Sequence, residues 1–369
     1  MNLAMPGYLP APRRLPIQKA LGVAYDAEAM SEKTPTLQRL LAKVRGDAAA
    51  QRLCDLVQVS PRLCENVTDR VHRAELAQAM NMLLFEGLLA RVPDAARYVE
   101  EVRAAGAQVV FDHGALRTVL APACGALPPG EAAFTRILQP LGFHCTGTYP
   151  LPRLRMTGRA YTQKDFPEDI AQYFVSELHP EAFSAAFQAT VGRVLATSSD
   201  PLTDADLAAL SRLERTQELD FAAAQALLPR LVACFARHHE LPHAADYELL
   251  VAESAEMAWI STEGNAFNHA TDRVPDVQAL AAALRARGYP MKDTIEISRN
   301  GRVRQTAFRA AVAARALGGA PPRPVPGSFY EFISRDRYRD DAGQSRLDLT
   351  FDAGNATGIF KMTAAQSPP

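Results

Sequence analysis

The chain has 369 residues, 48% of them hydrophobic and 22% charged, with a net charge of −1. That is an ordinary globular composition, long enough for one large domain or two medium ones, and the balanced charge gives no global pull toward nucleic acid or an anionic membrane. The five cysteines (Cys54, Cys64, Cys124, Cys145 and Cys234) are odd in number and form no C-x-x-C, which argues against a disulfide framework or zinc ribbon and fits a reducing cytoplasm.

The first 16 residues hold four prolines and the pair Arg13-Arg14 without a long apolar run. This fits neither a signal peptide nor a membrane span; residues 1–35 are expected to be an extended arm ahead of a single catalytic domain over 36–369. Residues 36–107 read as helices. Leu37, Leu40, Leu41 and Val44 recur at helical spacing, as do Ala79, Leu83, Leu84 and Leu88, and Pro61 and Pro93 mark breaks. The period then changes. Gln108–Leu120 reads as a strand, Gly130–Leu141 as a short helix, and Phe143–Leu151, Leu154–Thr162 and Ile170–Leu178 as three strands. Residues 108–180 therefore predict a β-α-β-β-β unit.

Residues 181–262 turn helical again, rich in alanine and leucine. From 263 to about 340 the first pattern returns: a strand carrying His269, a helix over Asp276–Gly288, a hairpin of Thr294–Ser298 and Val303–Arg309 around Asn300-Gly301, a Pro/Gly-rich connector over Gly318–Gly327, and a strand carrying Glu331. Residues 341–369 form a tail. The predicted fold is α+β, with two β-α-β-β-β modules pairing into one curved mixed sheet around a metal cavity and helices packed outside it.

His113 and His269 occupy matching first strands, 156 residues apart, in the phrases Phe111-Asp112-His113-Gly114 and Phe267-Asn268-His269-Ala270. Two histidines and one carboxylate on three strands are the ingredients of a facial triad, which leaves open positions on a non-haem Fe(II). Glu331 is the candidate carboxylate, although Phe329 and Phe332 do not alternate cleanly with it and the pattern leaves its face open. Arg117, four residues after His113, projects from the same strand face and is suited to grip a carboxylate. Arg273 repeats that spacing after His269, as a second clamp or as a partner of Asp272. Glu177, in the last strand of the first unit, is a candidate pocket residue. Asp112 and Asn268 are expected on the opposite face in structural hydrogen bonds. His238, His239 and His243 read as a solvated helix end, because H-E-x-x-H is absent and Pro242 interrupts.

The phrases F-D-H-G-x-x-R-T, N-x-F-N-H-x-T-D-R and Y-E-F resemble the 2-oxoadipate dioxygenase/decarboxylase (hydroxyglutarate synthase) family of the vicinal-oxygen-chelate superfamily, over roughly Gln108–Ile333. The resemblance implies paired β-α-β-β-β modules and Fe(II) held by His113, His269 and Glu331. It also implies a 2-oxo dicarboxylic acid substrate gripped by Arg117, with O2 as co-substrate. The implied reaction turns 2-oxoadipate into 2-hydroxyglutarate and CO2, in lysine catabolism. The chain ends soon after the Glu331 strand, so the larger C-terminal region that helps shape the pocket in some members is expected to be missing. Two alternatives stand beside this reading: another metalloenzyme of the superfamily acting on a different 2-oxo acid, and a metal-free protein that binds a small acid on the same scaffold.

Overall fold

Three strands of this protein are buried along their whole length: β1 (Phe111–Val119), β4 (Gln172–Leu178) and β8 (Phe329–Arg335). Strands covered on both faces lose the polar–apolar alternation of a half-exposed sheet, which is why the sequence could not assign a face to Glu331. The computed structural model describes residues 34–352. The expected N-terminal arm, apart from its last two residues, and the tail beyond residue 352 lie outside the described residues.

The three strands belong to one eight-stranded mixed sheet, with β2 (Phe143–Leu151), β3 (Met156–Gln163), β5 (His269–Arg273), β6 (Glu296–Ile297) and β7 (Val303–Ala307). The strand order is β2-β3-β4-β1-β5-β8-β7-β6. Each half lists its strands in mirrored order, so the first strands of the two modules, β1 and β5, meet antiparallel at the centre. Each is flanked by the last strand of its own module, running parallel to it. The duplication predicted from the sequence is thus realised as one continuous curved sheet.

Helices α1 (Thr36–Arg45), α2 (Asp47–Leu56), α3 (Arg73–Leu89) and α4 (Pro93–Ala104) precede the sheet. Most of α3 is buried, from Ala74 through Phe85 and again at Leu88, as expected for a helix that is apolar all round. Its Phe85 packs on Phe111 of β1 and Tyr330 of β8, with ring centroids 5.1 and 6.1 Å apart. The module helices are α5 (Ala132–Leu138) and α11 (Val277–Ala286), and the inserted helices are α6 (Ala185–Leu195), α7 (Asp204–Thr216), α8 (Phe221–Ala233), α9 (Ala244–Glu253) and α10 (Ala255–Glu263). Among the described residues, no helix is long and apolar enough to cross a membrane.

Three details depart from the sequence expectation. The second-module hairpin is wider than a two-residue turn: Ser298 N–H donates to the Val303 carbonyl, Gly301 takes φ +73°, and Ser298 and Asn300 side chains bond inside the loop. The Pro/Gly-rich connector contains a strand, Arg323–Pro326, paired with Val312–Arg315. His239 is not at a solvated helix end; it is buried, with Nε2 against the Ser261 carbonyl, and burial brings its pKa down to about 4.

Candidate metal centre

The register of three neighbouring strands assembles the site. Thr271 on β5 lies opposite His113 of β1 on one side and Glu331 of β8 on the other. His269 sits two residues earlier on β5, hence on the same face as Thr271. His113, His269 and Glu331 are 2%, 4% and 1% exposed, and each offers one ligand atom such that all three atoms lie within 4.8 Å of one another. Glu331 Oε2 is 3.4 Å from His113 Nε2 and 3.5 Å from His269 Nε2.

The residues around the triad fix its orientation. Asp112 is the extra residue of a β-bulge: Phe111 pairs with Asp272 but His113 with Thr271. A bulge redirects a side chain, and here Asp112 does not point away as expected. Its Oδ1 accepts a 2.8 Å hydrogen bond from His113 Nδ1. Asn268 Oδ1 stands in the same relation to His269 Nδ1, at 3.0 Å. Each acceptor requires its histidine to carry the proton on Nδ1, which leaves the Nε2 lone pair for the centre. Gln305 on β7 donates to Glu331 Oε1 at 3.2 Å, and Thr271 donates to Glu331 Oε2 at 2.7 Å. Phe329 stacks on the His269 ring at 4.7 Å.

The electrostatics follow from burial and these partners. Burial, with the field of Arg117 and His113 behind it, lowers the His269 pKa to about 3, so its ring is neutral at pH 7. Burial acts to lower His113 as well, but the hydrogen bonds to Asp112 and Glu331 outweigh it and the net direction is up. Glu331 lies below the ordinary glutamate range because its contacts with the two histidines and Thr271 outweigh its burial. His269 Nε2 is buried with no hydrogen-bond partner among the described residues. An orphaned lone pair facing a second imidazole and a carboxylate fits a divalent cation: it supplies the missing partner, and an N,N,O donor set suits a first-row metal.

Arg117 is 1% exposed and lines the same cavity as both histidines, with Ala115, Phe174, Ser176 and Phe351 among its neighbours. Its guanidinium carbon lies 5.1 Å from the Trp259 ring centre. Burial brings its pKa down to about 10, which leaves it charged at pH 7. Arg273 does not line this cavity. It donates to the Glu168 carbonyl at 2.8 Å and stands 3.8 Å from Asp112. Glu177 also faces away: alternation puts it on the other side of β4 from Phe174 and Ser176, where it accepts from the Glu131 amide and pairs with Arg159 at 3.0 Å.

Sequence reasoning passed over Gln305, Arg335 and Phe351. Arg335 follows Glu331 by four, the spacing already noted after both histidines, so the signal was present. It clamps both oxygens of Asp112 through three contacts of 2.9–3.0 Å and donates to the Asp348 and Thr350 carbonyls. Those carbonyls bring the tail back over the site, where the Phe351 ring meets His113 edge-on at 4.9 Å and tilts against Phe174 at 4.9 Å. The described part of the tail therefore contributes Phe351 and Asp352 to the cavity wall.

A family model described as 2-oxoadipate dioxygenase/decarboxylase matches residues 74–362, which include the whole triad. A crystal structure of a glyoxalase superfamily protein from Ralstonia eutropha JMP134 is 53% identical with a TM-score of 0.81, covering 86% of this chain and 99% of that one. Hydroxyglutarate synthase from Oryza sativa in complex with 2-oxoadipate is 19% identical, with a TM-score of 0.62 over 79% of this chain and 93% of its own. The Pseudomonas putida hydroxyglutarate synthase complex with 2-oxoadipate is 20% identical, with a TM-score of 0.54 over 80% and 74%. At 19–20% identity the likeness is one of fold. No curated protein matches the chain.

Proposed function

The chain belongs to the 2-oxoadipate dioxygenase/decarboxylase family, and on that premise we propose that it is an Fe(II)- and O2-dependent enzyme that converts 2-oxoadipate to 2-hydroxyglutarate and CO2. In this reading a six-carbon 2-oxo diacid and O2 become a five-carbon 2-hydroxy diacid and CO2, so both oxygen atoms are accounted for and no second oxo acid is consumed. The proposed setting is lysine breakdown in the cytoplasm. The observation that carries the reading is the buried His113–His269–Glu331 group with the Arg117 guanidinium lining the same cavity.

His113 Nε2, His269 Nε2 and Glu331 Oε2 would hold the Fe(II). Bound there, the metal supplies the O2 chemistry and leaves positions for the 2-oxo acid. The chain's own residues supply placement. Arg117 would take the far carboxylate of the substrate, because a planar guanidinium in a dry cavity binds a carboxylate with two parallel hydrogen bonds. Phe174 and Phe351 exclude water and restrict the carbon chain to one path. Asp112 and Asn268 hold the imidazole tautomers, while Gln305 and Thr271 hold the Glu331 carboxylate.

The test is O2 uptake by the Fe(II)-loaded protein against a panel of 2-oxo acids, with products identified by mass spectrometry. Stoichiometric CO2 and 2-hydroxyglutarate from 2-oxoadipate are expected. Turnover of another 2-oxo acid in its place would overturn the substrate, and anaerobically purified protein without a tight metal would overturn the metalloenzyme.

A further inference from the structure

A second cavity, of about 510 Å3, lies apart from the metal site, between α3, the segment after α8 and the end of α10. Its volume falls in the roughly 300–1,000 Å3 range of small-molecule sites. Three arginines line it, Arg91, Arg237 and Arg315, against one carboxylate, Glu263. Glu263 is spent on Arg315, which grips both its oxygens at 2.9 and 2.7 Å. Arg91 and Arg237 meet only backbone carbonyls among the described residues: Arg91 donates to Gly87 and Phe267, and Arg237 to His239. The cavity therefore carries two positive charges in excess. Burial weakens proton binding by both side chains; the Glu263 field opposes this and the Arg315 field adds to it. The rest of the wall is apolar, including Leu83, Leu84, Val232 and Phe235.

We propose that this cavity is a second ligand site, for a small organic dianion with two carboxylates on a short carbon chain. Two uncompensated guanidiniums match two carboxylates in charge and in the planar geometry of the contact. The apolar wall gives a carbon chain a surface to cover, which inorganic phosphate cannot use. The inference rests on the cavity and not on the reaction proposed above.

Calorimetric titration of the full-length, metal-loaded protein with glutarate tests it. Gly87 offers an independent variant: it lines the cavity from within α3, and a Cβ built there meets nothing within 4 Å, so Gly87→Leu adds its side chain from an unobstructed position on the cavity wall. We expect Gly87→Leu and Arg237→Gln each to weaken one class of glutarate sites at least tenfold, with any binding at the metal centre retained. Monomethyl glutarate should bind that class at least tenfold more weakly than glutarate. Unchanged isotherms in both variants would overturn the site. Phosphate binding as tightly as glutarate would overturn the organic class of ligand.

Discussion

Asp112 shows how much of the site rests on single atoms outside the triad. Its carboxylate is held well below the ordinary range because the Arg335 guanidinium and the His113 contact outweigh the cost of burial, and both members of the Asp112–Arg335 pair are essentially inaccessible. Removing one partner leaves a buried cation uncompensated, so Asp112→Ala should cost about 3–5 kcal/mol in urea unfolding. Asp112→Asn keeps an acceptor for His113 Nδ1 but weakens the grip of Arg335; metal affinity measured by competition with a chelator should fall about 10–100-fold. Asp272 carries the opposite sign. Burial raises its pKa from 3.8 to about 7, against hydrogen bonds from the Val110 amide and the Tyr98 hydroxyl. The native state thus binds its proton more tightly than the unfolded chain does. That contribution is full below about pH 3.8 and is lost as pH rises through 7. Unfolding free energies measured from pH 5 to 8 should decline by on the order of 2 kcal/mol in the wild type, and Asp272→Asn should flatten the decline. An unchanged slope would remove Asp272 as its source.

Among the elements, the end of the helical period was visible in the sequence at both modules, and so was the equivalence of the two histidines, because similar phrases, Phe111-Asp112-His113 and Phe267-Asn268-His269, carry them. What remained hidden depends on neighbours distant in the chain. The bulge that turns Asp112 toward His113 is a register shift against β5, and no local pattern encodes it. Glu177 and Glu331 look alike in sequence, each an acid in a buried strand; only strand pairing puts one beside Arg159 and the other beside Thr271. The return of the tail depends on two carbonyls that any residue would supply. Gly114 is the clearest local trace of packing. A Cβ there would lie 2.3 Å from Cζ of Phe267, so Gly114→Ala should destabilise by roughly 1–3 kcal/mol. A Phe267→Leu change in that background should recover part of the loss, and additive double-mutant energies would dismiss the contact. In the tail, Phe351→Ala should raise KM for the 2-oxo acid about tenfold, the size of one lost aromatic contact, while metal content stays at the wild-type level.

For the whole molecule, the seam between β1 and β5 joins the two modules through backbone pairing, and the Asp112–Arg335 contact ties the first module to the last strand of the second. Neither module can then complete the centre alone. Residues 35–262 and 263–369 produced separately should bind no metal tightly, and the intact chain should unfold by fluorescence and circular dichroism in coincident transitions. Non-coincident curves would mean that the modules are energetically separate. The mirrored strand order has a further consequence. Within the second module Glu331 pairs with the residue two beyond His269; the same step in the first module, two beyond His113, meets Phe174. A frame that presents its positions twice has a carboxylate in one copy and an aromatic ring in the other. His113, His269 and Glu331 would hold the ion proposed above, and Phe174 and Arg117, which line the same cavity, would meet incoming molecules there. In the enzyme proposed above, the face of the carbon chain open to reaction would follow from a symmetry that the molecule keeps in its backbone and breaks where Glu331 in one module answers to Phe174 in the other.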